Sequence, residues 1–254
     1  VASITLGAFL LPAYFALVMA TGIVSIACHL VALDFLAFPL FYLNQFFYII
    51  LWVLTLARIV RYPARLFGDM SNHRIGSGFL TIVAATNVLG SQFVILQSNQ
   101  TIALVLWVLG LALWLLLTYA IFTAFTVKEE KPSLEEGING AWLLFIVSTQ
   151  SIPVLGMLLF SRFEAWQEMF TFAMLGFYLL GCMFYILIIS LIVYRFMFFK
   201  IEAEDMNPSY WINTGAVAIT TLAGANILLR GHASFLAEFA PFIKGFTVFF
   251  WAAG

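Results

Sequence analysis

The sequence predicts an all-α polytopic membrane protein built from helical hairpins, and three observations carry that reading. Hydrophobic residues make up 64% of the 254-residue chain and charged residues only 9%, against about 25% charged in soluble globular chains. Apolar stretches of roughly 20 residues, the length that crosses a hydrocarbon core, recur from one end of the chain to the other. Every Asp and Glu falls between those stretches or at their edges. A net charge of −1 gives no reason to expect nucleic acid as a partner. Cys28 and Cys182 lie inside apolar stretches without metal or redox spacing, so they read as small buried thiols, and no metal or cofactor is expected.

Eight spans fall at about 11–31, 39–59, 77–97, 101–126, 138–160, 169–198, 209–229 and 240–254, the last cut short by the end of the sequence. Span 1 is apolar yet carries Thr21, Gly22 and Ser25 before ending at His29. Span 2 is rich in Leu, Ile, Val, Phe and Trp, with Asn44, Gln45 and Thr55 as exceptions. Arg58, Arg61 and Arg65 follow one helix face at its end, a pattern that snorkelling toward headgroups explains. Span 3 is crowded with Gly76, Ser77, Gly78, Thr81, Thr86, Asn87, Gly90, Ser91 and Gln92, whereas span 4 has only Thr118 and Thr123. Ser133 stands three residues before Glu136, a capping box that starts a helix ahead of span 5. Span 5 holds "STQSIPVLG", and its Pro153 removes an N–H and crowds the Thr149 carbonyl, so a bend or opening is expected there. Span 6 is again apolar apart from Ser190. Asn207 and Pro208 form a cap and a first-turn proline for span 7, which carries Asn213, Thr214, Gly215, Thr220, Thr221, Gly224 and Asn226. Lys244 sits just inside span 8.

The basic residues choose an orientation. Arg58, Arg61, Arg65, Arg74, Lys128, Lys131, Arg195 and Lys200 flank the even-numbered connections, against Arg162, Arg230 and Lys244 on the other side. Cytoplasmic loops are the ones enriched in Lys and Arg, so the N-terminus is expected in the cytoplasm. The odd spans then run in one direction, and their polar groups share one depth. An unsatisfied polar group in hydrocarbon costs several kcal/mol, so the odd spans are expected to face one another or water, with the even spans outside. The expected lining is Thr21, Gly22, Ser25, Asn87, Gly90, Ser91, Gln150, Ser151, Thr220, Thr221 and Gly224. For any one of them, ordinary helix packing is the competing explanation. No charged residue stands at the centre of any expected span, which argues against a proton relay or buried cation site and suits a partly dehydrated anion. No nucleophile–base pair is present either, so an enzyme is not expected. His29, Arg230 and His232 are expected near an external mouth, with Asp34, Glu164, Glu168 and Glu238 on the same side.

"LPAYFALVMATGIVSIACHL" in span 1, "STQSIP" in span 5 and "NPSYWINTGAVAITTLAGA" in span 7 resemble the tellurite-resistance/C4-dicarboxylate transporter family. That family is related to plant slow anion channels, yeast malate permease and sulfite efflux pump. The resemblance implies ten helices in five hairpins, odd helices ringing a central pore and even helices outside, in homotrimers with one pore per subunit. It also implies a pore kinked by prolines and a gating phenylalanine on the ninth helix. With eight spans present, none of the 28 Phe residues is assigned that gate, and residues 1–254 are expected to be a single transmembrane domain lacking the last two helices. The function expected is passage of small anions (a C4-dicarboxylate, sulfite or an oxyanion), channel-like or proton-coupled, in the bacterial inner membrane. The competing reading is a membrane receptor or sensor with an internal ligand pocket.

Overall fold

The computed structural model describes residues 12–202 and 205–254. Leu11, the first residue of expected span 1, and the side chain of Glu164 lie outside the described residues. The described residues form helices and turns, with no strand among them. The chain divides into two compact units, Val1–Lys131 and Pro132–Gly254.

In the first unit a short 3₁₀ turn, Pro12–Phe15, leads into α1 (Ala16–Leu30), followed by α2 (Asp34–Arg61) and a surface helix α3 (Pro63–Met70). A second 3₁₀ turn, Gly76–Leu80, leads into α4 (Thr81–Gln97), and α5 (Gln100–Val127) returns. The second unit has the same order. A single helical turn, α6 (Leu134–Gly137), precedes the 3₁₀ turn Gly140–Leu143 and α7 (Leu144–Leu158). Then come α8 (Gln167–Phe198), the 3₁₀ turn Pro208–Trp211, α9 (Ile212–Arg230) and α10 (Leu236–Ala252). Counted with their entry turns, seven of these helices are long and apolar enough to cross a membrane. The chain is therefore an all-α polytopic membrane protein.

Local chemistry explains the boundaries. Asn99 caps α5 by accepting from Ile102 N–H at 3.1 Å, and Asn139 caps its 3₁₀ turn by accepting from Ala141 N–H at 2.8 Å. Asn207 accepts from Ser209 N–H at 3.0 Å, with Pro208 in the first turn, as the sequence predicts. Ser133 does accept from Glu136 N–H at 3.3 Å. The helix it starts stops after one turn at Gly137, however, so it is separate from span 5. α7 runs unbroken through Pro153 from Leu144 to Leu158, so no free helix end forms at that proline.

Within each unit the two odd-numbered spans touch, and each is backed by its hairpin partner. α1 packs on α2 and α4, and α4 packs on α5. In the second unit α7 packs on α8 and α9, and α9 packs on α10. Spans Gly76–Gln97 and Gly140–Leu158 are 83% and 78% buried, whereas the other five lie between 22% and 39%. The inner position expected for every odd span is thus realised in the burial of two of them.

Two arginines depart from the sequence reading. Arg58 does not snorkel: it is 4% exposed, inside the last turns of α2, and its guanidinium pairs with Asp69 of α3. Arg61 and Arg65 are exposed, as snorkelling requires. Arg195, also 4% exposed, occupies the matching place at the end of α8. It pairs with Asp205 at 3.1 Å and donates to the Tyr210 hydroxyl. A buried charge without such a partner costs several kcal/mol, so each pair fixes the connection that follows its helix.

The eighth helix also differs. It begins at Leu236, four residues before its expected start, and is 17 residues long. Lys244 is consequently its ninth residue and stands at the helix centre. The expectation that no charge occupies the middle of a span fails here. Glu238 made residues 236–239 look like loop, whereas an acidic residue in a first turn is favourable for a helix.

Candidate functional site

The hydroxyls expected to line a pathway are held by backbone carbonyls. Ser91 donates to Asn87 O at 3.0 Å, Ser151 to Ser148 O at 2.6 Å, Thr220 to Ala216 O at 2.7 Å and Thr221 to Val217 O at 2.9 Å. Ser25 instead crosses its hairpin and donates to Ala37 O on α2 at 2.8 Å. Back-bonding of this kind lets Ser and Thr sit in a helix away from water. It also occupies the O–H donors that an anion would otherwise meet. Thr21 and Thr221 are half-buried, whereas Gly22, Ser25, Asn87, Gly90, Ser91, Gln150, Ser151, Pro153, Thr220 and Gly224 are buried.

The structure gathers many of these residues into contacts between a polar side chain and a glycine, one in each of the four hairpins. Between α1 and α2, Gly22 leaves room for Asn44: a Cβ on Gly22 would stand 2.5 Å from Val88, 2.9 Å from Asn44 and 3.2 Å from Gln92. Asn44 Nδ2 donates to Gln92 Oε1 at 2.6 Å, and both side chains are fully buried. Between α4 and α5 the Asn87 amide covers Gly110, where a Cβ would come within 2.5 Å of Oδ1. Between α7 and α8 the Gln150 side chain covers Gly181, and its Nε2 donates to Tyr178 O at 3.0 Å. Between α9 and α10, Gly224 faces Thr247, whose hydroxyl pairs with Tyr178 OH at 3.2 Å.

Sequence reading named Gly22, Asn87, Gln150 and Gly224 but missed their partners Asn44, Gly110, Gly181 and Thr247. The available signal was the glycines and lone polar residues of the even spans, which looked scattered because each answers a residue on another helix. Only small residues allow this close approach of membrane helices.

The expected outer-mouth residues are placed as follows. His29 Nδ1 lies 2.6 Å from Asp34 Oδ1, so any positive charge there is answered by a carboxylate. Arg230 is the exposed last residue of α9. His232 is exposed and stands edge-on to Phe160 at 5.6 Å. Glu168 accepts from Ser234 N–H at 2.7 Å, tying this connection to the start of α8. Among the described residues, no group of His, Cys, Asp and Glu could hold a metal ion.

Helices stapled by buried amides, with no such cluster of metal ligands, define an integral membrane protein of the transport class more readily than one of chemical catalysis. The chain belongs to the voltage-dependent anion channel family, whose model matches residues 10–254. It is similar to an uncharacterized transporter of Methanocaldococcus jannaschii, 26% identical over 247 residues, which cover 95% of this chain and 71% of the relative. A second uncharacterized transporter of the same organism is 26% identical over 249 residues, covering 96% of this chain and 70% of the relative. An uncharacterized membrane protein of Mycobacterium tuberculosis is 37% identical over 70 residues, 28% of this chain and 36% of the relative. No solved structure matches the chain.

Proposed function

We propose that this chain forms a transmembrane pathway for small anions, such as a C4-dicarboxylate, sulfite or an oxyanion, with its two units acting as one membrane domain. Membership of an anion-channel family supports passage of anions in general. The observation that carries the reading is that polar residues concentrate on odd helices that touch in pairs within each unit, each backed by an apolar partner. The bias of Lys and Arg supports a cytoplasmic N-terminus, and we place the protein in the bacterial inner membrane as a homotrimer. In this reading Thr21 and Thr221 are the more accessible lining residues, and Ser25, Ser91, Ser151 and Thr220 shape the wall from behind carbonyl bonds.

Flux of malate, sulfite and nitrate into liposomes containing the full-length protein tests the proposal. Gly22→Leu is a poor probe, because its side chain would strike Val88 and Asn44. Thr21→Phe and Thr221→Phe, at half-buried positions, should each change anion flux while the protein stays monodisperse. A folded wild type that passes none of these anions overturns the function. Wild-type flux through both variants overturns the assignment of the wall.

A further inference from the structure

The charge at the centre of α10 is the one ionisable group that the carbonyl-bound hydroxyls and glycine contacts do not absorb. Lys244 lies eight residues from each end of the helix, about 12 Å at 1.5 Å per residue. That distance exceeds the reach of a four-carbon stem toward either interface. Among the described residues it has no ion-pair or hydrogen-bond partner, and its side chain is exposed. An ionisable residue inside a membrane span is costly and, in general, faces a bundle interior or a water-filled cavity rather than lipid.

The rest of α10 says which flank it occupies. Leu236, Ile243, Thr247 and Phe250 form the buried stripe against the second unit's own core. At about 100° per residue, Phe239, Phe242, Phe246 and Phe249 fall on one side of that stripe and suit lipid. Lys244 falls on the other side, with Ala237, Ala240 and Pro241. That flank is small-sided and cationic, one turn from the Thr247–Tyr178 hydroxyl pair and Gly224. The neighbouring hydroxyls have their donors on carbonyls or on each other. The three N–H donors of the ammonium are uncommitted.

We infer that Lys244 is the cationic contact for the permeating anion, taking a carboxylate or small oxyanion by direct charge-assisted hydrogen bonds. This rests on the anion pathway proposed above. It adds a fixed positive charge to a wall otherwise made of neutral groups. A charge-assisted contact of this kind corresponds to about a tenfold or larger effect when removed.

The test measures initial anion flux against anion concentration for the full-length wild type, Lys244→Gln, Lys244→Arg and Lys244→Cys in liposomes. Lys244→Gln should lower flux at subsaturating anion by about tenfold or more, and Lys244→Arg should keep most of it. Treating Lys244→Cys, in a background with Cys28 and Cys182 replaced, with an aminoethyl methanethiosulfonate should restore flux, and the sulfonatoethyl reagent should not. Wild-type flux in Lys244→Gln overturns the assignment. So does loss of flux that tracks loss of monodisperse protein and is not rescued by the aminoethyl group, because that marks a packing role. A wild type without anion flux would instead bring down the underlying pathway, so the two failures are distinguishable.

Discussion

Two glycines on one helix should respond to the same substitution with opposite sign. A Cβ added at Gly176 of α8 meets nothing within 4 Å, whereas at Gly181 it would stand 2.5 Å from Gln150 Nε2, 2.6 Å from Cδ and 2.9 Å from Cγ. Gly→Ala in an unobstructed helix interior gains about 0.5–1 kcal/mol. At Gly181 that gain is opposed by overpacking of about 1–3 kcal/mol. Gln150 is fully buried, and moving it stretches its 3.0 Å bond to Tyr178 O, which removes about 0.5–1.5 kcal/mol more. With about 2–4 °C per kcal/mol for a chain of this size, Gly176→Ala should raise the melting temperature by about 1–4 °C. Gly181→Ala should lower it by about 2–12 °C. Thermal unfolding of the detergent-solubilised variants, followed by intrinsic fluorescence and size-exclusion recovery, reads both. If Gly181→Ala proves as stable as Gly176→Ala, the contact of polar side chain on glycine does not hold this hairpin.

Two further outcomes follow from the first unit. Asn44→Leu should destabilise by about 1–3 kcal/mol, because it strands the buried Gln92. Asn44→Leu with Gln92→Met should recover most of that loss, since Asn44 Oδ1 and Gln92 Nε2 already lack partners; equal losses in single and double variants would refute the pairing. His73, stacked on Phe125 at 4.2 Å, is held below its usual 6.5 by burial and by the charges of Lys128 and Lys131. Its folded form binds protons less readily than the unfolded chain, so the stability it contributes is present above about pH 6.5 and is lost as pH falls below that. Melting curves at pH 5 and pH 7.5 should therefore differ more in the wild type than in His73→Phe.

The spans were legible because their signal is cumulative. Expected spans 3, 4 and 7 match Gly76–Gln97, Gln100–Val127 and Pro208–Arg230 to within a residue at each end, since some 20 apolar residues must agree before a span is read. Span 8 was misplaced because one residue, Glu238, decided its start. The site was less legible, for a physical reason. Sequence shows that Asn87 is polar and at mid-span; that its amide rests on Gly110 depends on how two helices cross. Arg58 and Arg61 look alike in sequence, yet one is buried against Asp69 and the other is exposed. Helical periodicity could not separate them, because the partner lies on a short helix after the turn.

The two buried arginine pairs also bear on how each unit can deform. Arg58–Asp69 and Arg195–Asp205 fasten the ends of α2 and α8 at the side where the odd helices begin. On the opposite side, α1 and α2 are joined by the exposed His29–Asp34 contact, and α8 is tied to the last connection by one carboxylate on a backbone N–H. A lever riveted at one end and lightly laced at the other has its fulcrum chosen in advance. In each unit the helices can splay at the laced end with little cost, while the riveted end keeps its spacing.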